Sequence, residues 1–255
     1  MALNSVVLVK QVPDMNAVKI DRASGKPVMG GQNVVSSYDA YAIEEAIKLK
    51  EAHGGEVTVI SLGAPGAKDV ITRALAMGAD RGVLVTVPDP NALDTLAVAQ
   101  VLAKQLQAMT FDLLLAGQGS DDYEDNHVGP QVAELLGLPL VSNVNSVEVA
   151  EGGHHLTLQR DTEDGRQILE VDTPVLLTAI SGLNEPRYPS LKGIMGAKKK
   201  PIEQVAADVE PAADRITWSD PVAPERTVTG TIVQGVPAAD AAKQLVGWLK
   251  EQKLI

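Results

Sequence analysis

Over roughly the first 140 residues, short continuous runs of aliphatic and β-branched residues alternate with stretches in which apolar residues recur every three or four positions. The continuous runs predict strands buried on both faces of a parallel sheet, and the periodic stretches predict helices between them. Four strand–helix alternations favour a doubly wound α/β sheet. The predicted strands are Ser5–Val9, Glu56–Leu62, Gly82–Val87 and Asp112–Ala116, and Leu140-Val141 begins a further short one.

Side chains that can cap helices mark the starts of two predicted helices. Ser36 or Asp39 caps the first helix. Asn91 or Asp94 caps the helix Thr95–Met109. Both assignments rest on the ability of these side chains to accept hydrogen bonds from free backbone N–H groups. The other predicted helices are Lys68–Met77 and Gln131–Leu136.

Doubly wound sheets bind ligands beyond the carboxyl ends of their strands, at the point where the strand order reverses. The loops after Val9, Leu62 and Ala116, together with the helix start at Ser36–Asp39, are therefore the candidate ligand-binding segments.

From Val144 the apolar period falls to about two, which predicts antiparallel strands. We therefore expect an α/β domain with an antiparallel extension over residues 1–182, a loop over 183–200, and a linker with a C-terminal arm over 201–255. The predicted antiparallel strands are Ser146–Val149 and His155–Gln159, and Gln167–Val171 and Pro174–Ile180 are two further predicted strands. The arm carries Trp218, an edge-like strand Thr227–Val233 and an amphipathic helix opened by Pro237.

The segment Leu183–Lys200 has an unusual composition for a linker. Pro186 and Pro189 stiffen its start, Leu191 is one of several apolar residues in it, and it ends in three lysines. Long loops without secondary structure are usually functional or disordered. Composition alone allows both a functional loop and a tether.

Composition excludes several classes of function. The 255-residue chain is 45% apolar and only 3% aromatic, with a formal net charge of −11 and no cysteine. An acidic chain lacks the cationic surface needed for nonspecific binding to nucleic acid or anionic membranes. Without cysteine, disulfides, thiol catalysis and iron–sulfur clusters held by this chain are excluded.

Targeting and membrane signals are missing from the sequence. The N-terminus has no basic-then-apolar pattern, and no apolar run approaches the roughly 18 residues of a membrane span. We therefore expect a cytoplasmic protein that is not itself a membrane protein. The four histidines, His53, His127, His154 and His155, show no metal-ligand spacing.

The loop Gly117–Gly129, with the sequence GQGSDDYEDNHVG, follows a predicted strand and precedes a helix start. Gly117 and Gly119 permit close backbone approach, and a helix N-terminus favours anions. The loop matches neither a dinucleotide nor a P-loop motif. A ligand-binding loop and a solvated connection are therefore both consistent with it, and its acidic run lacks the spacing of a calcium loop.

Catalytic motifs are weak. Ser120 has no nucleophile-elbow context, and no histidine lies in a triad-like motif. His127, beside the glycine-rich loop, could donate to a ligand. No catalytic residue is predicted.

Three stretches are informative in combination: Ala74–Gly82 (ALAMGADRG), Leu158–Leu177 (LQRDTEDGRQILEVDTPVLL), and the segment Leu183–Lys200 with its LNEPRY and AKKK. Together they resemble the beta subunit of electron transfer flavoproteins, and the similarity runs from VLVKQVPD at Val7–Asp14 to the C-terminal helix.

The resemblance implies an adenine nucleotide alpha hydrolase-like fold and a heterodimer with an alpha subunit that carries the redox-active FAD. It implies a structural AMP in the beta subunit, and FAD in that place in electron-bifurcating relatives that oxidise NADH. The heterodimer would take electrons from acyl-CoA or related dehydrogenases, as in fatty acid oxidation, and pass them to a quinone oxidoreductase. The C-terminal arm would pack on the alpha subunit.

By position, the resemblance places the nucleotide at the same strand ends that the topology indicates. AMP-binding members often have Asn-Gln-Thr-Gly where this chain has Asn126-His127-Val128-Gly129, whereas bifurcating members tend to have Val-Gly-Pro, as at Val128–Pro130. The implied nucleotide-site residues are Leu8, Ser36, Ser37, Tyr38, Asp39, Leu62, Gly117, Gln118, Gly119, Ser120, Asp121, Asp122, Asn126, His127 and Val128.

The segment Leu183–Lys200 would then be the family's recognition loop, which inserts one leucine, here Leu191, into a pocket of the dehydrogenase. Asp161 stands where the family uses a glutamate to tune the motion of the flavin domain. The implied partner-binding residues are Tyr188, Pro189, Leu191, Ile194, Met195 and Asp161.

Two other functions fit parts of the sequence. One is a bifurcating beta subunit with a second FAD in the nucleotide site. The other is a nucleotide-binding stress or sensor protein with the same fold.

Overall fold

A computed structural model describes residues 2–208, 219, 221–224 and 230–255. The chain divides into a unit of residues 1–220 and a unit of residues 221–255. Trp218 and the start of the predicted strand Thr227–Val233 lie outside the described residues, and residues 230–233 are not in a strand.

In the residues described, the larger unit contains one nine-stranded sheet and two small two-stranded sheets. The large sheet has the order β11-β10-β9-β12-β8-β1-β6-β7-β13, and the small sheets pair β2 with β5 and β3 with β4. The strands are β1 (Ser5–Leu8), β2 (Gln11–Pro13), β3 (Lys19–Ile20), β4 (Pro27–Val28), β5 (Asn33–Val35), β6 (Val57–Gly63), β7 (Arg81–Thr86), β8 (Leu113–Gly117), β9 (Leu140–Val149), β10 (His155–Thr162), β11 (Gly165–Asp172), β12 (Val175–Ala179) and β13 (Ile202–Ala206).

Two apolar cores cover the two faces of the large sheet. Alternate residues of β1 separate into them: Val7 packs in the first core and Val6 in the second. Helices α1 and α2 fill the first core, and α3 and α4 fill the second. The helices are α1 (Ser37–His53), α2 (Lys68–Met77), α3 (Thr95–Leu106), α4 (Val128–Leu136), α5 (Leu191–Ala197) and α6 (Ala238–Glu251), with 3-10 turns at Pro65–Ala67 and Pro90–Ala92.

The order in which successive parallel strands join the sheet reverses at β1. Strands β6 and β7 extend the sheet on one side of β1, and β8 and β12 extend it on the other. The prediction of a mixed α/β fold with a mostly parallel sheet is confirmed. The switch point lies between β1 and β8, so the carboxyl ends of these two strands form the crevice edge.

Strand β9 differs from the prediction. The sequence indicated a short strand at Leu140 and a separate one at Ser146–Val149, but β9 runs unbroken from Leu140 to Val149. Its first half pairs parallel with β12, and its second half pairs antiparallel with β10. One strand thus serves both the parallel core and the antiparallel extension, because its two halves pair with different neighbours.

Strand β13 also differs from expectation. The stretch after Lys200 reads as a linker, yet Ile202–Ala206 pairs parallel with β7 at the sheet edge. The expected boundary at residue 201 therefore precedes a strand of the sheet, and the structure divides the chain near residue 220 instead. A lone edge strand of five residues carries too weak a periodic signal to be distinguished from a linker.

The smaller unit contains α6, which begins just after Pro237 as predicted. Leu245 and Trp248, on the predicted apolar face, are exposed in this unit. None of the helices within the described ranges is long and apolar enough to cross a membrane.

Asp94 caps α3, as one of the two predicted candidates. Its carboxylate accepts a hydrogen bond of 2.7 Å from the backbone N–H of Ala97. We expect Asp94→Ala to lower the free energy of unfolding by about 1 kcal/mol, because the helix loses its cap. Urea unfolding measures the change. Asp94→Asn, which retains a capping oxygen, is the control; equal losses in both variants would contradict the capping role.

Candidate functional site

Asp39 joins the ends of the two strands that flank the switch point. It lies in the first turn of α1 and is buried. One carboxylate oxygen accepts from the backbone N–H of Lys10, after β1, at 2.7 Å, and the other accepts from the N–H of Gly117, at the end of β8, at 3.0 Å. A single side chain thus fixes the separation of β1 and β8 at the crevice.

Burial raises the pKa of Asp39 to about 7, because the charged carboxylate has lost its water. The two backbone N–H groups oppose this shift, since they stabilise the charged form. Asp39 is therefore a carboxyl group whose charge changes near neutral pH while it connects two strands.

Lys10 joins the end of β1 to the loop after β8. Its ammonium group donates to Asp122 Oδ1 at 2.7 Å and to Ser120 Oγ at 3.1 Å. The ammonium also lies 4.7 Å from the centre of the Tyr123 ring. The loop's acidic run thus has an internal counter-charge. Lys10 was not predicted, although its position directly after a strand end was a usable signal.

Asp121 joins the same loop to the start of α1. Its carboxylate accepts from the backbone N–H of Ser37 at 2.8 Å and from the Ser37 hydroxyl. The N–H of Asp121 in turn donates to Ser36 Oγ at 3.4 Å. Ser36 is the N-cap residue of α1, but its side chain makes no capping bond and faces the loop instead.

The loop has little free space around its glycines. A Cβ atom on Gly119 would overlap Asn126 Oδ1, and one on Gly117 would overlap the Asp39 carboxylate. Asn126 adopts the left-handed conformation, with a φ of 58°. These positions hold the loop close to the strand ends.

Polar side chains surround the start of α4. Thr95 Oγ1 lies 3.5 Å from both His127 Nδ1 and Gln131 Nε2. Gln131 Oε1 is buried and has no hydrogen-bond partner among the described residues. Because the first backbone N–H groups of a helix also lack internal partners, this end of α4 offers both donors and an acceptor. Thr95 and Gln131 were not predicted.

The residues present fit an adenine nucleotide. The unpartnered Gln131 oxygen can accept from an amine or hydroxyl group, and the α4 N-terminus can donate to a phosphate. Leu8 belongs to the second core, and Leu62 and Val128 pack against it, so these three predicted residues contribute to the core beneath the strand ends. The arrangement offers hydrogen bonds rather than free positive charge, because Lys10 is already paired with Asp122.

Two further predicted residues have different environments. Gln118 Oε1 accepts from the Thr178 hydroxyl and, at 3.2 Å, from the N–H of Asn143, so this side chain connects β8, β12 and β9. Tyr38 is half-buried at the start of α1, and its Cβ lies where a Cβ atom on Gly117 would overlap it.

The segment Leu183–Lys200 is not a continuous loop. It contains the short helix α5, capped by Ser190, whose hydroxyl accepts from the N–H of Gly193 at 3.1 Å. Leu191, Ile194 and Met195 lie on α5 with exposures of 76%, 46% and 64%. Tyr188, just before it, is 89% exposed, and Pro189 is half-buried. Ile194 and Met195 follow Leu191 by three and four positions, so the three side chains share one exposed apolar face of α5.

Asp161 lies apart from α5 in the sequence, on β10, and pairs with Arg166 at 3.4 Å. Both line a polar cavity of about 230 Å³ that also includes Ser181 and Gly182, just before the segment Leu183–Lys200.

In the part of the chain that the structure describes, no group of three or more histidine and acidic side chains is placed to hold a metal ion. The acidic loop instead directs its carboxylates to Lys10 and to Ser37.

Comparison with known proteins gives consistent results. Residues 28–210 match the model of the electron transfer flavoprotein domain. The chain is 44% identical over 208 residues to the electron transfer flavoprotein subunit beta of Thermoanaerobacterium thermosaccharolyticum, covering 81% of this chain and 79% of that protein. It is 39% identical to the electron transfer flavoprotein subunit beta of Clostridium acetobutylicum, covering 99% of this chain and 100% of that protein. It is 33% identical to subunit CarD of the caffeyl-CoA reductase-Etf complex of Acetobacterium woodii, covering 98% of this chain and 99% of that protein.

The raised pKa of Asp39 predicts a pH-dependent stability. The native carboxyl binds its proton up to about pH 7, whereas the unfolded one loses it near 3.8. Stability from this group is therefore present at low pH and is lost as pH rises towards 7, by at most about 1.4 kcal/mol per pH unit. Urea unfolding between about pH 5 and pH 8 should show this slope in the wild type and lose it in Asp39→Asn. Parallel curves would contradict the assignment.

Proposed function

Since the chain belongs to the electron transfer flavoprotein family, among its beta subunits, we propose that it pairs with an alpha subunit carrying FAD and docks partner dehydrogenases. The heterodimer takes electrons from acyl-CoA or related dehydrogenases and passes them to a quinone oxidoreductase. The chain itself contributes docking and cofactor binding rather than a catalytic residue.

The exposed apolar face of α5 is the single observation that carries this proposal. Several large apolar side chains exposed together on one short helix form a contiguous apolar patch. Such patches mark surfaces that a partner covers. Leu191 is the most exposed of the three on α5, at 76%. A protruding leucine that enters an apolar pocket gives orientation and modest affinity, and both suit a transient electron-transfer complex.

We further propose that the crevice beside Asp39 holds AMP as a structural ligand, in an adenine nucleotide alpha hydrolase-like fold. Its phosphate would receive backbone N–H donors at the α4 N-terminus, near Asn126, His127 and Val128. The loop from Gly117 to Asp122 and the helix start at Ser36–Asp39 would enclose the nucleoside. AMP serves as a folding and packing element here and supplies no redox chemistry.

A second candidate function is an electron-bifurcating beta subunit, with FAD in the same crevice and NADH as donor. The Val128-Gly129-Pro130 sequence favours it. Similarity to a subunit of a caffeyl-CoA reductase-Etf complex also supports a reductase as the partner class. AMP remains the first choice because the acidic loop and the paired Lys10 leave little positive charge for a pyrophosphate.

The nucleotide is identified by denaturing the purified heterodimer and analysing the released small molecules by mass spectrometry. We expect AMP and FAD in equal amounts, with FAD coming from the alpha subunit. Two FAD molecules per heterodimer would favour the bifurcating alternative. Release of FAD alone, at one per heterodimer, would contradict both proposals for the crevice.

Leu191→Ala tests the docking role. Burying one leucine stabilises a complex by about 1.5–3 kcal/mol. Its loss should therefore raise the KM for the heterodimer, with the dehydrogenase as electron donor, roughly tenfold or more. Electron acceptance from a reduced acyl-CoA dehydrogenase measures this, with heterodimer formation and nucleotide content unchanged. Leu135→Ala, an exposed leucine on α4, is the matched control. An unchanged rate in Leu191→Ala would show that α5 does not dock the donor.

A further inference from the structure

Arg187 connects the segment that precedes α5 to helix α1. Its guanidinium donates to Glu44 from Nε at 2.9 Å and from Nη2 at 2.9 Å. It donates to Glu51 from Nη1 at 2.6 Å and from Nη2 at 2.9 Å. The backbone N–H of Arg187 also donates to Glu44 Oε2 at 3.1 Å. The guanidinium therefore makes two hydrogen bonds to each of two carboxylates, which is the bidentate geometry that guanidinium groups favour.

This ion-pair network is better shielded than an ordinary surface pair. The Glu44 side chain is only 6% exposed and that of Arg187 is 34% exposed. Exposed pairs contribute little because water and salt screen them, whereas paired and hydrogen-bonded charges at a partly buried site are screened less. The hydrogen bonds from Arg187 also hold the pKa of Glu51 below its usual value. Glu51 is therefore ionised at neutral pH and holds the guanidinium.

A second contact fixes the chain just before Arg187. The Asn184 amide donates to the backbone oxygen of Tyr41 at 3.0 Å and to Glu45 Oε2 at 2.9 Å. Glu45 is 3% exposed, so this acceptor too is inside the fold. Leu183 packs in the first core. Asn184 and Arg187 thus attach this stretch to α1, and Leu183 anchors it in the first core.

The other end of the segment is attached to α2. The ammonium group of Lys200 donates to the backbone oxygens of Leu75 and Ala79, at the end of α2. Between the two ends, Gly193 of α5 approaches α2 so closely that a Cβ atom there would overlap the backbone oxygen of Ala76. Helix α5 is therefore held on α2 with its apolar face outward.

Helix α5 has seven residues, far fewer than an isolated helix needs in water. Its conformation and direction must therefore come from these attachments. Binding that orders a mobile segment loses affinity to conformational entropy, and a segment fixed in advance avoids that loss.

We propose that Arg187 is a positioning residue for partner docking: by clamping the segment to Glu44 and Glu51 of α1, it presents the apolar face of α5 in its docked orientation before the dehydrogenase arrives. This inference rests on the proposed docking function of α5. The partner it serves is a protein with an apolar pocket that accepts Leu191. Arg187 itself need not contact that partner.

A merely structural role would lower stability without changing docking. A positioning role changes docking in a defined way: the complex forms less readily, but electron transfer within it is unaltered. The informative quantities are therefore KM against kcat, and the local mobility of residues 188–197 in the absence of any partner.

The experiment uses the heterodimer of the full chain with its alpha subunit, and a reduced short-chain acyl-CoA dehydrogenase from the same organism as donor. Arg187→Met should raise the KM for the heterodimer about tenfold and leave kcat unchanged. Amide hydrogen exchange in the free heterodimer should become about tenfold faster in residues 188–197 and stay unchanged in β1 and β8. Glu51→Gln, which retains the Glu44 contact, should shift both quantities in the same direction by less, and it provides the test if Arg187→Met does not fold.

Arg81→Met is the matched control, because Arg81 also lies between two glutamates, Glu56 and Glu203, but outside the segment. It should leave KM and the exchange of residues 188–197 at wild-type values. Unchanged KM in Arg187→Met and Glu51→Gln, with Leu191→Ala still impaired, would overturn the positioning role and leave the docking role of α5 standing. Unchanged KM in Leu191→Ala as well would overturn the proposed function itself.

Discussion

The carboxylate of Asp39 is the contact on which the arrangement of the crevice depends. It receives one backbone N–H from the chain after β1 and another from the end of β8, the two strands where the order of the sheet reverses. The pairing of β1 with β8 ends at Val7 and Leu115, so backbone N–H groups beyond it need another acceptor. A buried acceptor that satisfies both therefore sets the width of the crevice and fixes where helix α1 begins.

Helix α1 serves both candidate surfaces. Its first turn carries Asp39, and its later turns carry Glu44 and Glu51, which hold Arg187. Glu44 and Glu51 are seven positions apart and so lie on one face of the helix, whereas Asp39 is directed to the strand ends. One rigid helix thus relates the position of the crevice to the position of α5. In a heterodimer that binds a nucleotide and a protein partner, both sites would share this frame.

Part of the acidic character of the chain serves its structure, because several acidic side chains make buried hydrogen bonds. From the sequence, a net charge of −11 indicated only that the chain does not bind nucleic acid or anionic membranes nonspecifically. Several of the acids are buried instead of solvated: Asp39, Glu44 and Glu45 are each at most 6% exposed. Because burial of a carboxylate is costly, each accepts hydrogen bonds from a specific donor. These acids therefore specify the tertiary structure as well as the surface charge.

The sequence by itself determined the α/β class and most helices and strands, and it limited the cap of α3 to Asn91 or Asp94, because these follow from local periodicity and capping chemistry. The strand edge at which a ligand would bind stays a prediction from the topology. Family resemblance added the docking role expected of Leu191. Only the tertiary structure decided that β9 is one strand, that Ile202–Ala206 joins the sheet, and that α5 is a helix. It also assigned Lys10 to Asp122 and Arg187 to Glu44. These pairs are separated by more than 100 residues, so no local pattern encodes them. Short elements such as α5 and β13 take their conformation from what they pack against, which a sequence pattern does not record.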